Sequence, residues 1–222
     1  MIARPLRAVA ALAVLAATAA LAGCSNPFLP AQAPAPGAGG NSAFTPDYLS
    51  SEGVLTTIAS AINARGAGIG ETAYLAAFAD SATQGLGCTF TLDDSVVAER
   101  LRASIVVPTW RRELEPGFYR YLCTVDPTGD YDVTFLPTPG KTDEGNDAID
   151  DRVVRYRDYL VTGASTQVAT GSADIEMRLI TSPTRRWVIT AWSDHVRAGL
   201  SADTTDPGDF CFSRLRIDSY NH

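Results

Sequence analysis

The segment from Ser172 to Val196 constrains the fold most, because its side chains have the pattern of a two-stranded hairpin with one buried face. Residues 172–179 alternate polar and apolar side chains, and residues 186–196 resume an alternating pattern after a turn-forming connection. Pairing the strands across that connection sets three apolar pairs on one face: Leu179 with Trp187, Met177 with Ile189 and Ile175 with Ala191. We expect this face to form a wall of the core, with Val188, Thr190 and Trp192 on the opposite face.

The first 23 residues have the features of a secretory signal peptide. Arg4 and Arg7 precede a run of small apolar residues, 8–21, that only Thr18 interrupts. The run is too short and too alanine-rich for a stable transmembrane helix, so it predicts a segment that is removed on export. Its removal changes the formal net charge from −7 to −9. A surface this acidic disfavours nucleic acid as a partner.

The signal-type run ends in Leu21-Ala-Gly-Cys24, which resembles the lipobox of bacterial lipoproteins. The resemblance implies cleavage before Cys24, a diacylglycerol on its sulfur and often a further acyl chain, such as palmitate, on the new amine. Two or three acyl chains anchor a protein stably, so the expected location is extracytoplasmic and lipid-anchored to the cell membrane. Ser25 resembles a sorting signal for the periplasmic side of the outer membrane, if the source is diderm. The alternative is a simple signal peptide with a chance cysteine.

Residues 24–43 are expected to be a tether, and residues 44–222 a single folded domain. The segment after Cys24 consists of proline, alanine, glycine and polar residues, with almost nothing to bury. The chain as a whole is 45% hydrophobic and 19% charged, which suits an ordinary globular protein.

Helix signals dominate the first half of the domain, and strand signals dominate the second half. Helices are predicted at 51–65, 71–79 and 94–101, with a further helical turn from Pro108 that Pro116-Gly117 ends. Strands are predicted at 88–92, 131–135, 152–162 and in the hairpin, followed by a short closing segment at 210–217. This order predicts an α+β fold, with the helices packed on one face of a curved antiparallel sheet.

The order of elements resembles the NTF2-like fold, a cone-shaped α+β roll, and in particular uncharacterised bacterial lipoproteins with an NTF2-like domain of the SnoaL or ketosteroid-isomerase-like type. Six short stretches carry this resemblance: 51–55, 74–78, 88–93, 110–113, 187–194 and 212–215. Cys88 departs from it, because an aromatic residue is expected there, and so does Phe212, where tryptophan is expected. The resemblance implies the fold but no particular activity, since the fold carries isomerases, dehydratases, binding modules and inert subunits alike.

His195 is the only histidine before the last residue of the chain. Enzymes of the resembled fold place acid–base residues inside the cone, so His195 with Asp80, Asp93 or Tyr131 is a candidate proton-transfer set. The hairpin register sets His195 on the apolar face near one end of the sheet, and Asp194 on the other face. The simpler interpretation is a partly exposed polar residue where the strand leaves the core. We predict no catalytic residue.

One loop concentrates five acidic residues and raises the possibility of a calcium site: Asp143, Glu144, Asp147, Asp150 and Asp151. Their spacing differs from that of an EF-hand loop, so a solvated acidic loop is the favoured interpretation.

Three cysteines remain after Cys24: Cys88, Cys123 and Cys211. Outside the cytoplasm one disulfide is plausible, with one cysteine left over, and the sequence leaves all three pairings open. A zinc site formed by these cysteines and His195 is a less favoured alternative. No metal and no cofactor is predicted.

Two functions remain open. The favoured one is a membrane-anchored envelope lipoprotein with a non-catalytic module that binds a small apolar ligand or an envelope protein, as a monomer or a dimer. The alternative is an isomerase- or dehydratase-type enzyme with an acid–base pair in the cone. A deep pocket with two titratable groups favours the enzyme, whereas a filled or wholly apolar cone favours a binding or structural role.

Overall fold

The structure is a computed structural model that describes residues 44–64, 68–125, 131–163 and 167–222. The signal segment, Cys24 and the tether lie outside these ranges, so their assignments stay predictions. Within the described ranges, every helix is too short or too polar to cross a membrane.

The described residues form six helices and one five-stranded sheet. The helices are α1 (Ser51–Asn63), α2 (Ile69–Ala76), α3 (Ser81–Gln84), α4 (Asp94–Arg102), α5 (Glu115–Val125) and α6 (Phe212–Tyr220), with 3₁₀ turns at Arg112–Leu114 and Pro207–Asp209. The strands are β1 (Thr89–Thr91), β2 (Asp132–Pro137), β3 (Arg152–Thr162), β4 (Gln167–Ile180) and β5 (Arg186–His195). The predicted α+β fold, with helices packed on a curved sheet, is confirmed.

The strand order in the sheet is β1-β5-β4-β3-β2. The pairs from β2 to β5 are antiparallel, as predicted, but β1 runs parallel to β5 at one edge. The prediction of a purely antiparallel sheet is therefore wrong at this edge. Hairpin turns impose antiparallel pairing, whereas β1 and β5 are far apart along the chain and no turn fixes their relative direction.

Helix α1 forms where its cap and its apolar spacing predict a helix. The Ser50 hydroxyl accepts a hydrogen bond from the Gly53 backbone N–H at 3.0 Å, which caps the first turn. Its apolar side chains recur at helical spacing and are buried against the sheet: Val54, Leu55, Ile58, Ala61 and Ile62.

Helix α5 begins where the sequence predicts that a helical turn ends. Pro116 and Gly117 lie in its first turn rather than after its last one. Proline is tolerated there because the first N–H groups of a helix have no intrahelical partner. The correction matters for function, because α5 places Glu115 at its start and buries Phe118 and Leu122.

The hairpin register is confirmed at two of its three predicted pairs. Leu179 faces Trp187 and Met177 faces Ile189, but a β-bulge then shifts the register between Glu176 and Met177. Ile175 consequently faces Trp192, and the predicted pair of Ile175 with Ala191 is wrong. A bulge inserts one extra residue into one strand and reverses the alternation beyond it.

The bulge exchanges the faces of every residue near the end of β5. Trp192 and Asp194 lie on the inner face, towards the helices, and each is 1% exposed. His195 lies on the outer face instead of the predicted apolar one, with 41% of its side chain exposed. Of the two apolar residues predicted on the outer face, Val188 and Trp192, only Val188 lies there. Ala79 and Leu86 cover it.

Candidate functional site

The candidate acid–base residues are not brought together in the described structure. The His195 Nε2 lies 3.4 Å from an Asp174 carboxylate oxygen on the outer face of the sheet. The other three candidates serve local structure: Asp93 caps α4, Asp80 caps α3, and Tyr131 donates a hydrogen bond to the Leu122 carbonyl. The proton-transfer set suggested by the fold resemblance therefore has no geometric basis here.

Asp194, rather than His195, is the buried titratable group of this strand. Its carboxylate accepts hydrogen bonds from the Tyr159 hydroxyl at 2.7 Å and from the Ser213 backbone N–H. Burial raises the pKa of Asp194, although the nearby Arg216 opposes the shift. Asp194 thus caps the first turn of α6 and ties that helix to the sheet.

A glycine on β4 makes room for the Tyr159 ring, which contacts α6. Gly171 faces the Tyr159 ring so closely that a Cβ atom at that position would overlap it. The Tyr159 ring stacks on the Phe212 ring, with centroids 4.1 Å apart. The closing segment predicted at 210–217 is therefore a helix held against the inner face of the sheet.

The acidic loop does not form a calcium cage and is only partly solvated. Asp147 accepts a 2.6 Å hydrogen bond from Arg155 and bonds the Ser51 backbone N–H, and Asp143 pairs with Arg157 at 2.7 Å. Both arginines point inward from β3 and are nearly buried. The loop is therefore an electrostatic clamp between β3 and the start of α1. Within the described ranges, no cluster of potential ligands could hold a metal ion.

The clamp predicts that stability depends on the ionisation of Asp143. Partial burial acts to raise its pKa, but hydrogen bonds from Arg157 and from the Tyr156 backbone hold the pKa below its ordinary value. A depressed pKa stabilises the fold above the unfolded-state pKa, about 3.9, and this contribution is lost as the pH falls through the folded-state pKa. We expect Asp143→Asn to cost about 1 kcal/mol at pH 7.

Urea unfolding at a series of pH values checks this prediction. The difference between the wild type and Asp143→Asn should be constant from pH 7 to about 5 and should shrink below about pH 4. Asp151→Asn, an exposed neighbour in the same loop, is the control and should differ little from the wild type at any pH. A difference that stays constant down to pH 2 would contradict the proposed role of the Asp143 charge.

Cys88 and Cys211 are both free thiols. Every possible pairing of the three cysteines includes one of these two, so the expected disulfide is not formed. Burial raises the pKa of both thiols, with further contributions from Glu115 for Cys88 and from Asp194 for Cys211. Because the thiolate is the reactive form, neither sulfur is an activated nucleophile.

The interior of the cone is organised by an ion pair that the sequence analysis missed. The Arg216 Nε donates to the Glu115 carboxylate at 2.8 Å, and the two side chains are 1% and 0% exposed. The Trp110 indole donates to the same carboxylate at 2.5 Å, and the Tyr74 hydroxyl donates to its second oxygen. The charges are thus paired, as a buried carboxylate requires.

Arg216 keeps its charge and Tyr74 keeps its proton at neutral pH. Burial acts to lower the pKa of Arg216, but the adjacent Glu115 outweighs it and raises that pKa. Burial, and then the Glu115 charge, raise the pKa of Tyr74, which therefore remains a hydrogen-bond donor. Within this network, Arg216 is therefore a lasting cation and Tyr74 a neutral donor.

Aromatic rings enclose the Arg216 guanidinium. Its central carbon lies 4.8 to 5.9 Å from four ring centroids, those of Phe118, Phe90, Trp192 and Phe212. A guanidinium over aromatic faces is attracted by their quadrupoles, more strongly when desolvated. The centre of the cone is thus filled by a charge pair and its aromatic shell.

A surface pocket of about 340 Å³ adjoins this interior at the β1 edge of the sheet. Its apolar floor includes Cys88, Phe90 and Trp110, and its rim carries Arg111, Arg112 and Glu113. Trp110 is also a donor to Glu115, so one side chain connects the pocket with the buried network. The volume lies within the range of small-molecule sites.

The solved structures that are similar to this chain include the following two. One is assigned as a calcium/calmodulin-dependent protein kinase type II association domain, from Thiobacillus denitrificans; it is 15% identical, has a TM-score of 0.43, and the alignment covers 68% of this chain and 97% of that one. The other, a protein of unknown function from Mycobacterium tuberculosis, is 10% identical, has a TM-score of 0.45, and the alignment covers 76% and 82% of the two chains. No family model and no curated protein matches the chain.

Proposed function

We propose that this protein is a membrane-anchored envelope lipoprotein whose folded domain is a non-catalytic binding module. The anchor part rests on Leu21-Ala-Gly-Cys24 after a signal-type run, and on the Pro- and Ala-rich tether that follows. The location that follows is extracytoplasmic, on the cell membrane, or on the periplasmic side of the outer membrane in a diderm cell.

The saturated Glu115 carboxylate is the observation that carries the binding role. A general acid or base must exchange a proton with a substrate within hydrogen-bond reach. Glu115 instead accepts from Arg216, Trp110 and Tyr74, and aromatic rings enclose the pair. A filled cone with an adjoining pocket supports binding of a small, mainly apolar ligand without chemical conversion.

The Cys24→Ala substitution tests the anchor. We expect it to abolish incorporation of labelled palmitate and to leave the precursor uncleaved at that site, because the thiol is the acyl acceptor. Metabolic labelling followed by immunoprecipitation measures both effects. Cys123→Ala is the control and should be labelled like the wild type. A Cys24→Ala protein that still takes up palmitate and matures normally would rule the anchor out.

Mass spectrometry of small molecules that co-purify with the tag-free mature protein tests the binding role. We expect an apolar compound that is enriched over a mock purification and recovered unchanged after incubation with the protein. Chemical conversion of that compound by the protein would favour the isomerase- or dehydratase-type alternative instead.

A further inference from the structure

Five buried side-chain nitrogens of the described residues lack a hydrogen-bond partner, and two of these belong to neighbouring residues inside the cone. These two are the Arg216 Nη1 and the Trp192 Nε1, and both side chains are 1% exposed. Leaving a buried donor unpaired is unfavourable, so nearly all such groups in folded proteins have a partner. Two unpaired donors on neighbouring side chains therefore point to an acceptor that completes them.

The two donors belong to neighbouring side chains. The guanidinium carbon of Arg216 lies 5.5 Å from the Trp192 ring centroid, and the other Arg216 nitrogens already bond Glu115. Oxygen acceptors carry two lone pairs, so one carbonyl or hydroxyl oxygen can accept from both donors. The surrounding walls are aromatic rings, which favour an apolar body around that oxygen.

Phe90 belongs both to the wall of the pocket at the β1 edge and to the surroundings of the two donors. Phe90 lines the pocket, pairs with Trp192 in the sheet register, and lies 5.0 Å from the Arg216 guanidinium. Phe90 is only partly buried, whereas Trp192, its neighbour on the adjacent strand, is buried. Phe90 is therefore the side chain whose displacement would bring a molecule in the pocket nearest to these donors.

The charge balance of the interior selects a neutral ligand. Among the described residues around the two donors, Arg216 supplies the positive charge, and two buried carboxylates already interact with it, Glu115 and Asp194. A third carboxylate would have to be desolvated without a cation of its own, which is strongly unfavourable. The rim of the pocket carries Arg111, Arg112 and Glu113, and Arg112 also lies 3.7 Å from the Asp80 carboxylate, so the charges at the rim balance.

We propose that the pocket at the β1 edge binds a small, neutral, mainly apolar molecule with one acceptor oxygen. That oxygen accepts hydrogen bonds from Arg216 Nη1 and Trp192 Nε1 when the Phe90 ring is displaced. This inference rests on the proposed binding function and specifies the ligand class and the residues that select it.

Three compounds of similar shape test the proposal on the purified mature protein: acetophenone, ethylbenzene and benzoate. We expect acetophenone to bind at least about tenfold more tightly than ethylbenzene, because it alone adds a neutral acceptor, which is worth about 1.4 kcal/mol by the affinity relation. Benzoate should bind more weakly than acetophenone. Acetophenone should also shift the indole N–H resonance of Trp192 in ¹⁵N–¹H spectra.

Matched tryptophan variants locate the site. Trp192→Phe keeps a ring but removes the donor, so acetophenone should lose its advantage over ethylbenzene. Trp187→Phe makes the same change at another buried tryptophan and should retain that advantage. If Trp192→Phe does not fold, the indole shift in the wild type decides alone.

Four results would overturn the proposal: equal affinities for acetophenone and ethylbenzene, tightest binding of benzoate, no binding of any compound, or an unshifted Trp192 indole. In each of these cases a bound water, rather than a ligand, would be the acceptor for the two donors. A co-purifying compound that leaves the Trp192 indole unperturbed would keep the binding function and refute only this site.

Discussion

Replacing Glu115 with Gln should lower the free energy of unfolding by about 3–5 kcal/mol. The substitution keeps the size of the side chain, but it replaces one of the two carboxylate oxygens, which accept separately from Trp110 and Tyr74, with an amide donor. It also removes the charge that pairs directly with the buried Arg216 guanidinium. An unpaired buried cation is expensive because water no longer solvates it. Urea denaturation monitored by far-UV circular dichroism measures the loss.

Glu113→Gln is the matched control, since it makes the same chemical change two residues away on an exposed side chain. It should change stability by less than about 0.5 kcal/mol. Equal effects of the two substitutions would mean that Glu115 is solvated, and the description of a closed cone would have to be given up.

Replacing Trp187 with Ala should cost about 3–5 kcal/mol. The indole is 1% exposed and faces Leu179 across the hairpin, and its backbone N–H also bonds the Tyr48 carbonyl. Truncation would leave a large cavity in the inner wall of the sheet, which the neighbouring strands can fill only partly. Thermal and urea unfolding both report this loss.

Thr190→Ala, a substitution on the same strand, is the control for Trp187→Ala. Its hydroxyl makes only long contacts with Glu176, at 3.3 and 3.4 Å, so its loss should cost less than about 1 kcal/mol. Equal sensitivity at Thr190 and Trp187 would indicate that both faces of the sheet are buried, as in an obligate dimer. A nearly neutral Trp187→Ala would contradict the register itself.

The hairpin shows how far the sequence can predict this fold. Alternation and turn composition are local signals, so they predict both strands and two of the three facing pairs correctly. The bulge beside Met177 leaves no trace in residue type, because an extra residue in one strand shifts the pattern without changing it. Each wrong assignment beyond it, for Trp192, Asp194 and His195, follows from that single insertion.

The start of α5 shows a second limit. Pro116-Gly117 is compatible both with the end of a helical turn and with the first turn of a new helix. The apolar residues that follow, Phe118 and Leu122, are spaced four apart and favour the second interpretation. Local turn chemistry alone therefore gives the wrong answer here, and periodicity over a longer window gives the right one.

The buried network could be predicted only in part, because its members are far apart along the chain. Glu115 and Arg216 are separated by 101 positions, and no local pattern relates them. One signal is present: Arg216 lies four residues after Phe212, on the same side of a helix that also carries Leu215. A charge on an apolar helix face needs a buried counter-ion, but the sequence does not identify which of the 25 acidic residues supplies it.

A double-mutant cycle on Glu115 and Arg216 tests most directly whether an ion pair fills the cone. Glu115→Gln and Arg216→Met should each cost about 3–5 kcal/mol, because each leaves one buried charge unpaired. The double substitution removes both charges, so its cost should be lower than the sum of the single costs by about 2 kcal/mol or more. Costs that add to within about 0.5 kcal/mol would show that the two side chains do not interact, and would contradict a cone filled by an ion pair.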